Sequence, residues 1–273
     1  AGGRELGFAS DIELMFVYEA AGNTAGPRVI AAGEFYEKLV VELGRAIRAR
    51  REGIFEIDLQ LRPYGKAGSL AVSLDAFRRY FAPGGPAWGY ERQALVKLRP
   101  IAGDPALGEQ LTELRDSYVY TATPFDVAAM RAMRERQLRH LVTPGNVNAK
   151  FSRGGLVDVE YIVQGLQVTH GHRDPALRVT NTADAIAALA RAGIISDENA
   201  ARLSGALVFL QQLINALRMV RGNNKDLTVP PPGGEEFAFL ARRLGYDSEP
   251  GRLSAALEEH LGWVQRLSAR LLG

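Results

Sequence analysis

The sequence predicts an α+β protein in which a small mixed sheet with helices, residues 1–104, precedes an all-helical bundle, residues 105–273. Three observations predict this class. Apolar and polar side chains alternate with the period of a strand at 11–18 and 55–62, and helical spacing lies between those segments. After Asp104 the strand-like alternation is lost and capped helical patterns take over. We therefore expect two domains.

The first predicted strand holds two acidic side chains on one face. The opposite face is an apolar row made of Ile12, Leu14, Phe16 and Tyr18. Asp11 and Glu13 therefore project together, and two like charges about 4 Å apart repel by about 4 kcal/mol at an effective dielectric near 20. A proton, an arginine or a divalent cation must offset that repulsion, and we favour the cation.

A third carboxylate comes from the second alternating segment. One face of residues 55–62 carries Phe55, Ile57, Leu59 and Leu61, whereas the other carries Glu56, Asp58, Gln60 and Arg62. A two-metal site for phosphoryl transfer needs paired carboxylates, a third carboxylate on another strand, and a glycine-rich turn whose N–H groups bind phosphate. Gly2-Gly3 with Ser10 supplies the turn. From the residues alone, Asp11, Glu13 and Asp58 are either catalytic metal ligands or part of a solvated sheet face.

The remaining elements follow in order. Helical spacing predicts a helix at 35–47, and Ser73 is a good N-cap for a helix that carries Phe77 and Tyr80, after a short strand at 69–72. A Pro/Gly break at 83–86 precedes a helical segment, 88–99. That segment is either a core-packing helix or one that places Lys97 or Arg99 beside a triphosphate, where a cation neutralises developing charge.

The second half is predicted to be helices joined by short loops. They span 107–119, 125–141, 183–192, 197–220, 237–244 and 253–272, with Asn181 or Thr182 and Ser196 as caps. Gly154-Gly155 precedes a further helix that carries Asp158 and Glu160. This start is either purely structural or an anion site to which Arg153 adds charge.

Composition restricts the class of protein. The 273 residues are 47% hydrophobic, and 33 basic against 31 acidic residues give a net charge of +2, which argues against a nucleic-acid partner. The absence of cysteine excludes disulfides and thiolate metal sites, and the four histidines form no convincing ligand set. No apolar run approaches the ~18 residues of a membrane span. We expect a soluble cytoplasmic protein with no membrane partner.

Several motifs, in order and spacing, resemble the glutamine synthetase adenylyltransferase/adenylyl-removing enzymes. The matching stretches are 2–6, 10–18, 57–65, 91–96 and 154–160. The resemblance implies a nucleotidyltransferase domain of the DNA polymerase β type followed by a helical domain. In that family one unit transfers AMP from ATP to a tyrosine of glutamine synthetase, and a second unit of the same polypeptide removes it by phosphorolysis, releasing ADP.

The resemblance also implies a site. Asp11, Glu13 and Asp58 would bind Mg²⁺ or Mn²⁺, with ATP as the substrate, and Arg62 would lie close to the metal. The predicted nucleotide-binding set is Gly2, Gly3, Ser10, Arg62, Lys97, Arg99 and Arg153. The family usually has Asp at the position of Glu13 and Arg at that of Gln60. Because the chain begins inside its own first motif, we expect an N-terminally truncated piece that lacks an upstream helix and is only partly competent.

The choice between the two units stays open at this level. Residues 67–70 and 91–96 favour the adenylylating unit, whereas 209–217 fit either. A third hypothesis is a catalytically weak nucleotide-binding or docking module, and a fourth, an RNA nucleotidyltransferase, is disfavoured by the near-neutral charge. The expected partners are glutamine synthetase, a nitrogen-regulatory signal protein and the other unit of the polypeptide, in a role in nitrogen metabolism.

Overall fold

The computed structural model describes residues 2–47, 55–246 and 249–271. The chain divides into two compact units, of which the first comprises Ala1–Leu6 and Ser10–Val119 and the second comprises Gly7–Ala9 and Tyr120–Gly273. The first unit is α+β and the second is helical, which confirms the α+β class. The polymerase-β-like topology and the domain boundary at residue 104 stay predictions.

Two pairs of short parallel strands lie in the first unit. β1 (Ile12–Glu13) pairs with β3 (Ile57–Asp58), and β2 (Phe16–Tyr18) pairs with β4 (Ala71–Ser73). The segment 11–18, predicted as one strand, is therefore two strands with different partners. The named strands pair in parallel, whereas a mixed sheet was expected; an isolated antiparallel bridge joins Asn23 to Ala31.

The second predicted strand is much shorter than its alternation suggests. The regular pairing ends at Asp58, because the Asp58 carboxylate accepts the Gln60 N–H at 2.7 Å and the Arg62 N–H bonds back to the Gln60 carbonyl at 2.9 Å. Those bonds turn the chain away from the β1 ladder. The alternation at 59–62 therefore describes a folded loop and not a strand.

The first unit has four named helices, α1 (Ala32–Ala46), α2 (Leu74–Phe81), α3 (Glu91–Leu95) and α4 (Pro105–Val119). The Ser73 hydroxyl accepts the Ala76 N–H at 3.2 Å, which confirms the predicted cap of α2. α3 ends before Lys97 and Arg99, where a longer helix was predicted. After Leu95 the backbone continues as turns with i to i+3 bonds, from the Val96 N–H to the Gln93 carbonyl at 3.2 Å and from the Leu98 N–H to the Leu95 carbonyl at 2.9 Å.

Helix α4 belongs with the first unit through buried arginines. Arg92 of α3 donates Nε and Nη2 to the carbonyl of Val119, at 3.2 and 2.9 Å. Arg115 of α4 donates to the Leu98 carbonyl at 2.8 Å. These charge-assisted bonds tie both ends of the 91–119 segment together, and they are long-range contacts that periodicity does not encode.

The second unit contains six named helices. They are α5 (Val127–Leu141), α6 (Leu156–His170), α7 (Thr182–Arg191), α8 (Asp197–Arg221), α9 (Glu235–Arg243) and α10 (Pro250–Leu271). Asn181 and Ser196 cap α7 and α8 through side-chain bonds to backbone N–H groups, as predicted. The predicted last residue of α10, Leu272, lies outside the described residues.

Helix α8 is the centre of the helical unit. Its side chains Leu203, Leu210, Leu213 and Leu217 are almost completely buried against α6, α7, α9 and α10. In the described part of the chain, α8 is the one helix long and apolar enough to cross a membrane, but 56% of its apolar stretch is buried inside the unit. The residues 7–9 pack on the same helix, where Phe8 bonds to Asn215 and Arg218.

Candidate functional site

The strand register brings the predicted carboxylates to one place. Glu13 of β1 lies directly opposite Asp58 of β3, and neighbouring parallel strands are about 4.8 Å apart. Asp11 directly precedes β1, and its Oδ1 accepts the N–H of Glu56, the residue before β3, at 3.0 Å. Ser10 directly precedes it. The three acidic residues therefore share the β1–β3 pair.

The hydrogen bonds of these carboxylates differ. Asp58 accepts the Gln60 N–H through Oδ1 and lies 3.5 Å from the Gln60 side-chain amide through Oδ2. The Glu13 side chain has no hydrogen bond or ion pair with any residue that the structure describes. An exposed carboxylate without a basic partner, beside a second carboxylate, has the oxygen donors that Mg²⁺ prefers.

The side chains are not gathered into a finished metal site. Within 2–47, 55–246 and 249–271, no three histidine or acidic side chains lie close enough together to hold one ion. Glu13 and Asp58 supply two adjacent ligands, whereas Asp11 directs one oxygen at the backbone of Glu56. The donor chemistry of these carboxylates fits a divalent cation.

The glycine turn lies against the predicted phosphate-binding cations. A Cβ on Gly2 would lie 1.6 Å from the Lys97 carbonyl oxygen, so no other residue fits there without moving the backbone. Arg99 donates Nε to the Gly2 carbonyl at 3.0 Å, and Lys97 pairs with Glu5 at 3.0 Å. Gly3 is buried in the same turn. Two cations thus border the turn, although Lys97 already has an acidic partner.

Arg62 binds its own loop. Its guanidinium donates to the carbonyls of Leu59, Gly68 and Lys66, with distances of 3.1 Å to Gly68 and 3.4 Å to Lys66. These bonds engage Nε and both terminal nitrogens. A role in nucleotide binding stays a prediction, and the geometry gives Arg62 the additional role of holding the loop that follows Asp58.

The motif at 91–96 supports the core-packing interpretation. The Tyr80 hydroxyl donates to Glu91 at 3.0 Å, and burial raises the pKa of Tyr80. Burial lowers the pKa of Arg92, whose guanidinium donates to the Val119 carbonyl at the end of α4. Leu95 and Val96 are fully buried. This motif therefore fastens α2, α3 and α4 together.

Arg153 lies in the second unit and pairs with Glu135 at 2.8 Å. The neighbouring start of α6 was one candidate anion site, but its own Asp158 accepts the Gly154 N–H, and the next N–H groups bond to the carbonyls of residues 149–152. Arg134 of α5 binds the same carboxylate. These bonds favour the structural interpretation of the start of α6 over an anion site. The sequence gave no indication of the role of Arg134, because its partner Asp158 is 24 residues away.

Comparison with known proteins gives matches over both halves. Residues 1–114 match the family model of glutamate-ammonia ligase adenylyltransferase, and residues 127–272 match that of GlnD PII-uridylyltransferase. The chain is 35% identical to the bifunctional glutamine synthetase adenylyltransferase/adenylyl-removing enzyme of Stenotrophomonas maltophilia, over 99% of this chain and 29% of that protein.

Enzymes with the same name from other bacteria give similar matches. The enzyme of Streptomyces avermitilis is 34% identical over 98% of this chain and 27% of its own length. The enzyme of Bordetella pertussis is 36% identical over 97% of this chain and 30% of its own length. The chain therefore spans less than a third of the length of these curated relatives.

Proposed function

The chain belongs to the family of glutamine synthetase adenylyltransferase/adenylyl-removing enzymes, and from that premise we propose that it catalyses metal-dependent transfer of AMP from ATP to a tyrosine of glutamine synthetase. The observation that carries this proposal is the register that sets Glu13 beside Asp58, with Asp11 at the same strand pair. Two adjacent carboxylates on rigid backbone are what a nucleotidyl-transfer site requires.

The residues of the first unit divide the chemistry between them. Asp11, Glu13 and Asp58 hold Mg²⁺ or Mn²⁺, which when bound neutralises phosphate charge and favours deprotonation of the attacking hydroxyl. The Gly2-Gly3 turn, with Ser10, offers backbone N–H groups to the phosphates. Arg99 and Lys97 border that turn and stabilise the negative charge that develops as pyrophosphate leaves.

The reverse chemistry is the second candidate. The printed names of the relatives carry both activities, and this chain covers less than a third of each. Phosphate would attack the phosphorus of the AMP group on glutamine synthetase, the bond to the tyrosine oxygen would break, and free tyrosine and ADP would result. The motifs at 67–70 and 91–96 favour the adenylylating direction. Glutamine synthetase, the other unit of the polypeptide and a nitrogen-regulatory signal protein are the partners of this proposal, in the cytoplasm.

One experiment tests the proposal and its direction. The protein is incubated with glutamine synthetase, Mg²⁺ and ATP labelled on the α-phosphate, and in parallel with adenylylated synthetase and phosphate. We expect label on the synthetase, reduced about 100-fold or more by D58N because a metal ligand is lost. ADP release in the second arm alone would assign the removing reaction.

The matched control is D75N, which changes an exposed aspartate on α2 that pairs with Arg78. It should transfer label like the unaltered protein. Undiminished transfer by D58N would contradict the role of Asp58. Tight ATP binding with no turnover in either arm would instead favour the docking-module hypothesis.

A further inference from the structure

The first unit contains a pocket of which the proposed chemistry uses only Arg99. Its volume is about 140 Å³, similar to the roughly 150 Å³ cavity that holds benzene in an engineered protein. It therefore has room for one flat ring system. Its walls come from the 12–18 segment, α2, residues 98–104 and the first turns of α4, and its apolar lining includes Met15, Val17, Leu107 and Leu111.

The pocket borders the candidate site. Met15 and Val17 follow Glu13 at two-residue spacing, and the Leu14 N–H still bonds to the Asp58 carbonyl at 2.9 Å. The wall formed by Met15 and Val17 therefore follows the carboxylate directly along the chain. At another wall, Arg99 lines the pocket and also binds the Gly2 carbonyl of the glycine turn. Arg99 therefore connects the pocket to the glycine turn, so a ligand whose ring lies in the pocket can extend its phosphates along Arg99 to that turn.

Asp104, a polar residue of the lining, is suited to hydrogen bonding with the edge of a ring. Asp104 caps α4 by accepting the Leu107 N–H through Oδ1 at 2.8 Å. Its second oxygen has no partner among the described residues. A free carboxylate oxygen accepts hydrogen bonds and donates none, so it favours an amino group over a keto group on the ring. Thr112, which also lines the pocket, directs its hydroxyl to the Gly108 carbonyl at 2.9 Å.

We propose that this pocket receives the adenine ring of ATP, with the 6-amino group of adenine donating to Asp104 and the phosphates reaching the Gly2-Gly3 turn beside Arg99. The proposal rests on the proposed function, because that function makes ATP the substrate. Leu107, Leu111 and Met15 bury the faces of the ring, and Asp104 selects against a 6-keto purine. Asp104 is thereby a specificity-determining residue.

The test is calorimetric binding of ATP, of inosine triphosphate and of inorganic triphosphate, each with Mg²⁺, to the unaltered protein and to two variants. D104N keeps a capping oxygen but offers an N–H donor to the ring. It should weaken ATP roughly 10- to 100-fold and remove the preference for ATP over inosine triphosphate. T112M fills the pocket and should weaken both nucleotides. Neither variant should change the affinity for inorganic triphosphate.

The matched control is D126N, because Asp126 caps α5 in the same way, through the Ala129 N–H at 2.8 Å, in the second unit. It should bind all three ligands like the unaltered protein. If D104N and T112M both bind ATP normally, the adenine pocket is wrong and the proposed function stands. If the unaltered protein binds inorganic triphosphate as tightly as ATP, the ring is not recognised and the pocket is again wrong. Binding of none of the three overturns the proposed function itself.

Discussion

Arg62 shows how a single side chain shapes the candidate site. Its guanidinium donates to carbonyls at 59, 66 and 68, and so closes the loop that begins where Asp58 accepts the Gln60 N–H. Gly68 allows this closure, since a Cβ there would lie 1.9 Å from the Pro63 carbonyl oxygen. The loop in turn fixes the orientation of the Asp58 carboxylate. Arg62 therefore acts as a positioning residue for Asp58.

We predict that R62A lowers the free energy of unfolding by about 1–3 kcal/mol, because three carbonyls lose a charged donor. Transfer of labelled AMP should slow, while ATP affinity changes little. Urea unfolding and calorimetry measure these quantities. K66A, which removes an exposed side chain but keeps the Lys66 carbonyl, is the control. A loss of ATP affinity without a loss of stability would show instead that Arg62 binds the nucleotide directly.

Helix α5 forms two ion pairs of different environment, one with α6 and one with the loop before α6. Arg134 and Asp158 form the buried pair, with side chains 8% and 12% exposed, and Arg134 also donates to the Ser152 carbonyl at 2.9 Å. Arg153 and Glu135 form the other, with side chains 56% and 49% exposed. Only the first excludes water. Its loss would leave a buried guanidinium uncompensated, whereas solvent screens the second pair.

Replacing one partner of each pair should separate these effects. We expect D158A to destabilise the helical unit by about 3–5 kcal/mol, because Arg134 remains buried and charged. E135A should cost no more than about 1 kcal/mol. Denaturant unfolding monitored by circular dichroism measures both. Equal destabilisation by the two variants would contradict the difference in burial.

Each unit of the whole molecule has its own apolar core. In the first unit Val72, Phe77 and Leu95 are buried among the strands and α2 to α4. In the second, one cluster gathers side chains from α6 to α10 around α8. Separate cores are typical of separate domains, and the two family models match the two parts of the chain separately.

We predict that L213A, which empties a fully buried position of α8, destabilises the helical unit by about 2–5 kcal/mol. Native-state hydrogen exchange should show faster exchange for amides of α6 to α8 and unchanged exchange for those of β4. V208A, at a half-exposed position of the same helix, is the control. Equally faster exchange in β4 would mean that the two units unfold as one.

The sequence by itself determined the elements whose signals are local. The caps Ser73, Asn181 and Ser196, the order of strands and helices, and the acidic positions are encoded within a few residues of each other, through side-chain period and turn chemistry. Periodicity gave the wrong end of an element where the alternation or helical spacing of side chains continues but the backbone bonds change, as at Gln60 and after Leu95.

Only the tertiary structure decided which groups the functional side chains contact. It placed Glu13 opposite Asp58, and it bonded the Arg62 side chain to carbonyls of its own loop. It also joined α3 to the end of α4 through Arg92, and it left one oxygen of Asp104 without a partner among the described residues, at an apolar pocket. The Glu13–Asp58 register and the Arg92–Val119 bond join residues 45 and 27 positions apart. The bonds of Arg62 and Asp104 span only three to six residues, but they involve backbone carbonyl and N–H groups that side-chain periodicity does not describe. A sequence pattern identifies such residues as candidates, but the fold determines which groups they contact.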